Sequence, residues 1–265
     1  MSSNDSEEIA RFYAQTYDLS VADWPGEVDF YRELAAAARA QGRAVLEVAC
    51  GTGRIALRLA DDGVNIVGLD RSPAMLAIAR EKSRALPAIR WVEGDMRAFD
   101  LDQTFGLVII PGHAFQNLVT PQDQLACLES IGRHLTDDGI LVVHLDHQNV
   151  DWLGGLVKDK GGVFQEAEQF QNPQTGRQVQ TLRAWSYEPA SQTAIAETVW
   201  QEIDEQGQVV NRRESGPVRL HCVFPFEMQH LLSLAGYEVE AIYGDFLRGA
   251  LSGDSEEMIW VSSCS

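Results

Sequence analysis

Residues 45–53 read Val-Leu-Glu-Val-Ala-Cys-Gly-Thr-Gly, and an acidic residue, Asp70, closes the next apolar run, NIVGLD. A short apolar run that ends in glycines predicts a buried strand, and RIALRLADDG behind Gly53 predicts a helix. Glycines 51 and 53 let the backbone turn tightly and approach a ligand closely, because they carry no Cβ. Asp70 arrives about 20 residues later, where a carboxylate can hold ribose hydroxyls.

Outward from this stretch, apolar runs alternate with amphipathic ones. SPAMLAIAREKSRA, with Ser72 as N-cap and Pro73 in the first turn, predicts a helix. It is followed by IRWVEGD, FGLVIIP, a helix near 121–135, and GILVVHLD. Strands alternating with helices predict an α/β fold, a mostly parallel sheet with helices on both faces. Upstream, residues 5–18 and 27–41 have good helix formers and no breakers. Beyond 150 the period changes to two in RQVQTLRAWSYEP, TAIAETVWQEIDE and QVVNRRESGPVRLHCVF, with turns at Asn172-Pro173 and Gln206-Gly207. An antiparallel β insertion is expected there. The predicted organisation is N-terminal helices with the Rossmann-like core at 1–149, a β-rich insertion serving as substrate lid at 150–222, and a return to the core sheet at 223–265.

Composition narrows the partners. The 265 residues carry 21 Lys and Arg against 39 Asp and Glu, a net charge of −18. Phosphate backbones need clustered basic residues, so nucleic acid and anionic membranes are not expected partners. No apolar run approaches the roughly 18 to 20 residues of a membrane helix. The N-terminus, MSSNDSEEIA, is polar and acidic, unlike a signal or transit peptide. The four cysteines, 50, 127, 222 and 264, show neither paired nor metal-ligand spacing. A reduced, cytoplasmic protein without a metal is expected, and its oligomeric state is not legible.

Gly51-x-Gly53-x-x-Ala56 also fits the dinucleotide fingerprint, so spacing alone admits both NAD and S-adenosylmethionine. Glu47 separates them. A carboxylate in the middle of this strand disfavours a pyrophosphate and suits a cationic ligand. S-adenosylmethionine carries an ammonium and a sulfonium and no phosphate.

The run ExxCGTG, with Asp70 and Gly94-Asp95-Met96, resembles the class I S-adenosylmethionine-dependent methyltransferases along nearly the whole chain. GDMRAFDL and the β-rich insertion are similar to bacterial small-molecule enzymes of that class, including sugar-amine N,N-dimethyltransferases. The resemblance implies a Rossmann-like fold with a mostly parallel seven-stranded sheet, and methyl transfer to a small molecule at nitrogen or oxygen, with S-adenosylhomocysteine as product. It places the methionine part of the cofactor beside Glu47, Ala49, Gly51 and Gly53. It puts the ribose on Asp70 and the adenine near Arg71 and Met75, bracketed by Asp95 and Met96, with Pro111 also at the cofactor. Met75 and Met96 fit core packing equally, and Arg71 fits a solvated turn. Phe12, Tyr13 and Tyr17 resemble the family's aromatic lid. Tyr17 is the expected cofactor contact, with Trp24 and Arg32 as further candidates.

The loop Ile110-Pro-Gly-His-Ala-Phe-Gln-Asn-Leu118 follows the fourth strand, at the edge where open α/β sheets bind ligands. It lacks the Asn/Asp-Pro-Pro-Tyr/Phe and Pro-Cys signatures of enzymes that methylate nucleic-acid bases. His113 is the candidate base, because imidazole as a group ordinarily titrates near working pH. His113, Phe115, Asp146 and His147 are expected at the acceptor, with Arg213, Arg219 and Tyr243 as candidates for its wall. A solvated face accounts equally well for both arginines. The other histidines, His144 among them, look less well placed. Two alternatives stand beside this reading: an NAD-dependent Rossmann oxidoreductase, and a non-catalytic S-adenosylmethionine-binding protein.

Overall fold

The structure, a computed structural model, describes residues 3–158 and 161–264; the first two residues of the polar N-terminal stretch lie outside them. The chain divides into two compact units, one of Asp23–Gln148 with the chain from Val223 onward, the other of the chain up to Ala22 with Asn149–Cys222.

The first unit is a seven-stranded sheet. Five parallel strands come from the alternating region: β1 (Val45–Val48), β2 (Ile66–Asp70), β3 (Ile89–Glu93), β4 (Phe105–Ile110) and β5 (Leu135–Asp146). The C-terminal region adds β11 (Tyr237–Tyr243) and β12 (Glu257–Cys264), in the order β11-β12-β5-β4-β1-β2-β3. β12 pairs antiparallel with both of its neighbours, so it alone runs against the other six strands. The sheet order reverses between β1 and β4, which opens a crevice at their C-terminal ends.

Helices cover both faces, so β1 and β4 are buried along their whole length; β4 reads as an apolar run, and β1 as one interrupted by Glu47. Leu46, Val48, Val108 and Ile110 pack with Cys127, Leu128 and Ile131 of α5 (Pro121–Gly132) and Met228 and Leu232 of α7 (Pro225–Leu234). Val45, Leu107 and Ile109 alternate to the other face, against Tyr31 and Ala35 of α2 (Glu27–Ala40) and Leu59 of α3 (Ala56–Asp61). α4 (Pro73–Lys82) starts as its residues predict: Ser72 Oγ accepts the Met75 amide at 3.3 Å, with Pro73 in the first turn. Thr120 and Pro121 do the same for α5.

The second unit is an antiparallel sheet in the order β10-β8-β7-β6, with β9 also on β8. β7 (Gln178–Glu188), β8 (Thr193–Ile203), β9 (Val209–Glu214) and β10 (Val218–His221) lie in the three segments with period two. β6 (Gln165–Gln171) escapes that pattern because its sequence, QEAEQFQ, has no apolar alternation. α6 (Val150–Lys158) also escapes it, with two glycines inside a short apolar run. The first helix, α1 (Ser3–Ser20), groups with this unit rather than with the Rossmann-like core expected for it. The cause is apolar: Phe12 is buried in a cluster with Val179 and Trp200. Among the described residues, no helix is long and apolar enough to cross a membrane.

Candidate active site

The glycine loop after β1 is held by Asp70. Its Oδ2 accepts the Gly51 amide at 2.7 Å and its Oδ1 accepts the Ser72 amide at 2.8 Å. One carboxylate therefore ties the loop after β1 to the start of α4. Ala49 and Gly51 both take positive φ, 56° and 55°. For alanine this left-handed backbone costs of order 1–3 kcal/mol and tends to occur at ligand-binding turns. A Cβ built on Gly51 would meet nothing within 4 Å, whereas one on Gly53 would lie 2.5 Å from the Trp91 ring. The two glycines thus do different work: Gly53 makes room for the protein's own core, and Gly51 leaves open space beside the loop.

Glu47 lies on the α2/α3 face of β1, 2% exposed, and its Oε2 has no hydrogen-bond partner. Burial raises its pKa to about 8, against the opposing pull of Arg54 and the Ala56 amide. Arg54 is itself engaged by Glu27, which is fully buried, at 2.5 and 2.7 Å. An orphaned buried carboxylate oxygen and an open glycine cradle fit a ligand that brings a cation to the end of β1.

The adenine-side candidates lie in three environments. Arg71 is exposed and Met75 is buried at the start of α4. Met96 is half-buried against the core. Asp95 lies just past the end of β3. Its side chain is 36% exposed and pairs with Arg97 at 2.6 Å, and hydrogen bonds from Arg97 hold its pKa below the ordinary range.

Past β4, Pro111 is buried and Gly112 and His113 take positive φ, which turns the chain into a short 3-10 helix, Ala114–Asn117. Phe115 corrects an expectation. Its ring is fully buried in the core, so it anchors the loop and cannot line an acceptor pocket. His113 Nε2 lies 2.6 Å from Oε2 of Glu257, the first residue of β12. The same oxygen is 2.7 Å from Nε2 of His144 on β5, and the two Nε2 atoms are 3.2 Å apart. Trp24 packs edge-on against both imidazoles, at 5.0 and 4.8 Å between ring centres.

Sequence reasoning sets His144 aside and misses Glu257. No linear spacing relates positions 113, 144 and 257; the reversal of β12 brings its first residue to the edge where the parallel strands end. Burial raises the pKa of Asp146, whose amide donates to Gln116 Oε1 at 2.8 Å. His147 Nδ1 is 2.8 Å from the Ser255 carbonyl, which fixes that nitrogen as the donor. Tyr243 packs edge-on against Phe30.

The remaining candidates belong to the β-rich unit. Tyr17 is half-buried, its ring 5.6 Å from that of Tyr13. Arg213 stacks 4.4 Å over Phe12 and lies 3.5 Å from Glu8 and Glu202. Arg219 forms a surface pair with Glu188 at 3.0 Å.

A parallel sheet with this order, a glycine loop after its first strand and an acidic residue ending the second define a Rossmann-like cofactor-binding protein. Residues 45–139 match the methyltransferase domain family. A dTDP-3-amino-3,6-dideoxy-alpha-D-glucopyranose N,N-dimethyltransferase of Streptomyces fradiae is 37% identical over 136 residues, covering 49% of this chain and 51% of that protein. The CcbJ methyltransferase from Streptomyces caelestis has a TM-score of 0.79 at 27% identity, over 96% of each chain. CalS10 from Micromonospora echinaspora, an amino pentose methyltransferase solved with S-adenosylmethionine bound, has a TM-score of 0.67 at 24% identity, over 96% of each chain. The chain spans about half the length of the curated relatives it matches. The chain is thus similar to S-adenosylmethionine-dependent methyltransferases, sugar-amine N,N-dimethyltransferases among them.

Proposed function

We propose that this chain moves a methyl group from S-adenosylmethionine to nitrogen or oxygen of a small molecule, with His113 as the base. The observations that carry the reading are Glu47, buried on β1 with an unpartnered oxygen, and the open space at Gly51 in the loop that follows the strand. When bound, S-adenosylmethionine supplies an electrophilic methyl on a good leaving group. Glu47 meets the ammonium of its methionine part, with Ala49, Gly51 and Gly53 forming the wall. Asp70, already ordered by two amides, keeps lone pairs for ribose hydroxyls. Asp95, steadied by Arg97, accepts from the adenine amino group, and Arg71, Met75, Met96 and Pro111 complete the cofactor site. Tyr17 contributes an aromatic contact.

Because displacement from a sulfonium needs mainly alignment and exclusion of water, the protein's remaining task is the acceptor's proton. His113 takes it when the acceptor arrives protonated or as a hydroxyl. Asp146, His147, Arg213, Arg219 and Tyr243 are the proposed acceptor contacts. Relatives whose names specify N-methylation favour nitrogen. The net charge of −18 suits a neutral or cationic small molecule rather than nucleic acid. The scattered cysteines suit a reduced, cytoplasmic setting.

Calorimetric titration with S-adenosylmethionine, S-adenosylhomocysteine and NAD in parallel tests the reading. Binding of the first two without NAD, followed by turnover on amine or hydroxyl acceptors, is expected. Binding of NAD alone overturns it, and cofactor binding without turnover on any acceptor leaves the non-catalytic alternative standing.

A further inference from the structure

The cluster at the C-terminal edge of the sheet determines which nitrogen of His113 can act. The Gly112 amide donates to His144 Nδ1 at 3.2 Å. A ring nitrogen that accepts carries no proton, so the neutral His144 ring holds its proton on Nε2, facing Glu257 Oε2 at 2.7 Å. Burial holds His144 below its ordinary pKa, which keeps the ring neutral. Burial alone would raise Glu257, but hydrogen bonds from His113 and His144 outweigh it and bring its pKa down to about 2. Glu257 is therefore an ionised, acceptor-only group near neutral pH. The His113 Nε2, 2.6 Å from the same oxygen, must bear a proton, since a lone pair there would face an anion. The 3.2 Å between the two Nε2 atoms follows from both rings donating to one oxygen.

We propose that Glu257 and His144 are positioning residues for His113: they commit its Nε2–H to the Glu257 carboxylate and leave Nδ1 as the lone-pair atom that receives the acceptor's proton. This rests on the reading of His113 as the base. As the acceptor atom bonds to the methyl group, the methyl–sulfur bond breaks and its electron pair leaves on the neutral sulfur of S-adenosylhomocysteine, while the acceptor's X–H bond breaks and its proton passes to Nδ1. The resulting imidazolium lies against the Glu257 carboxylate, and water takes the proton afterwards. Trp24 packs against both imidazoles and Phe246 against that of His144. Among the described residues, Asp146 also interacts with His113 and Glu257, Tyr31 with Glu257, and Glu27 with His144.

The three donor atoms also lie within 4.8 Å of one another, the spacing of a metal-binding triad. The tautomer of His144 argues against that use. A metal on its Nε2 would require a proton on Nδ1, which would then point at the Gly112 N–H.

The test is two-bond proton–nitrogen correlation NMR on protein labelled with 15N in its histidine rings, near pH 8. In wild type, His113 and His144 are expected both to show the Nε2–H pattern. Glu257→Gln can present an amide N–H to His113 and is expected to move that ring to Nδ1–H while His144, held by Gly112, keeps its form. A wild-type His113 protonated on Nδ1, or a Glu257→Gln spectrum with His113 unchanged, overturns the proposal. So does one equivalent of Zn2+ bound with submicromolar affinity that shifts both Nε2 resonances. The wild-type spectrum needs no variant to fold, and it is independent of turnover. Titrating S-adenosylmethionine into the same samples separates failure of the methyltransferase reading from failure of the tautomer. Once an acceptor is found, Glu257→Gln is expected to lower kcat by on the order of 10²-fold with KM unchanged, and the His113→Ala/Glu257→Gln pair should be no worse than His113→Ala alone.

Discussion

Cofactor affinity should depend on pH through Glu47, and the size of the effect follows from its burial. The folded carboxyl titrates at about 8, far above its value in an unfolded chain. A raised pKa stabilises the free protein fully below the unfolded value, and that contribution is lost as pH rises through about 8. The ionised carboxylate is nevertheless the form that pairs with an ammonium. The cofactor's amino group ordinarily titrates near 8 as well, so the competent pair is about one hundredth populated at pH 6 and about one quarter at pH 8. Affinity should therefore rise about 25-fold over that interval, or about 1.9 kcal/mol. It should fall again above pH 8 as the amine loses its proton. Calorimetry in two buffers of different ionisation enthalpy should also show release of most of a proton at pH 7. Glu47→Gln should bind more weakly at pH 8 and lose the acid-side rise. Equal affinity at pH 6 and 8 in wild type, or an undiminished rise in Glu47→Gln, would refute the pairing of Glu47 with the ammonium.

Four further outcomes are expected. Gly53→Ala forces a Cβ to 2.5 Å from the Trp91 ring at φ 80° and should lower stability by about 1–3 kcal/mol, read as a drop in Tm. Gly51→Ala meets no atom of the protein, so it should fold and lose cofactor affinity by calorimetry instead. Asp70→Ala leaves the Gly51 and Ser72 amides without their acceptor, and weakening of S-adenosylmethionine binding by at least tenfold is expected; unchanged affinity removes Asp70 from the ribose site. Glu257 has a lowered folded pKa, so its stabilising contribution is present above its unfolded value and is lost as pH falls from about 5 toward 2. Urea melts across that range should show a smaller loss for Glu257→Gln than for wild type.

Local signals carry the cofactor side of this protein. The buried strand, the glycine loop, the helix and Asp70 are consecutive in the chain, and each follows from neighbours a few residues away. Ser72-Pro73 starts α4 for the same local reason. The polar strand β6 escapes because a half-exposed edge strand needs no apolar alternation, and α1 is misplaced by sequence because only packing shows where Phe12 buries. Phe115 resembles an acceptor contact in the sequence because the chain does not reveal which side of its loop faces the core.

The acceptor side shows the limit most clearly. The sequence by itself determined the parallel sheet, the glycine loop after β1 and the position of His113 past the end of β4, since periodicity and turn chemistry are encoded within a few residues. Only the tertiary structure decided what His113 touches. β12 enters the sheet antiparallel, between β5 and β11, so its first residue rather than its last reaches the edge where the parallel strands end. That reversal sets Glu257 between two imidazoles from other strands. A hydrogen bond across 144 positions of chain has no periodicity by which a sequence could announce it.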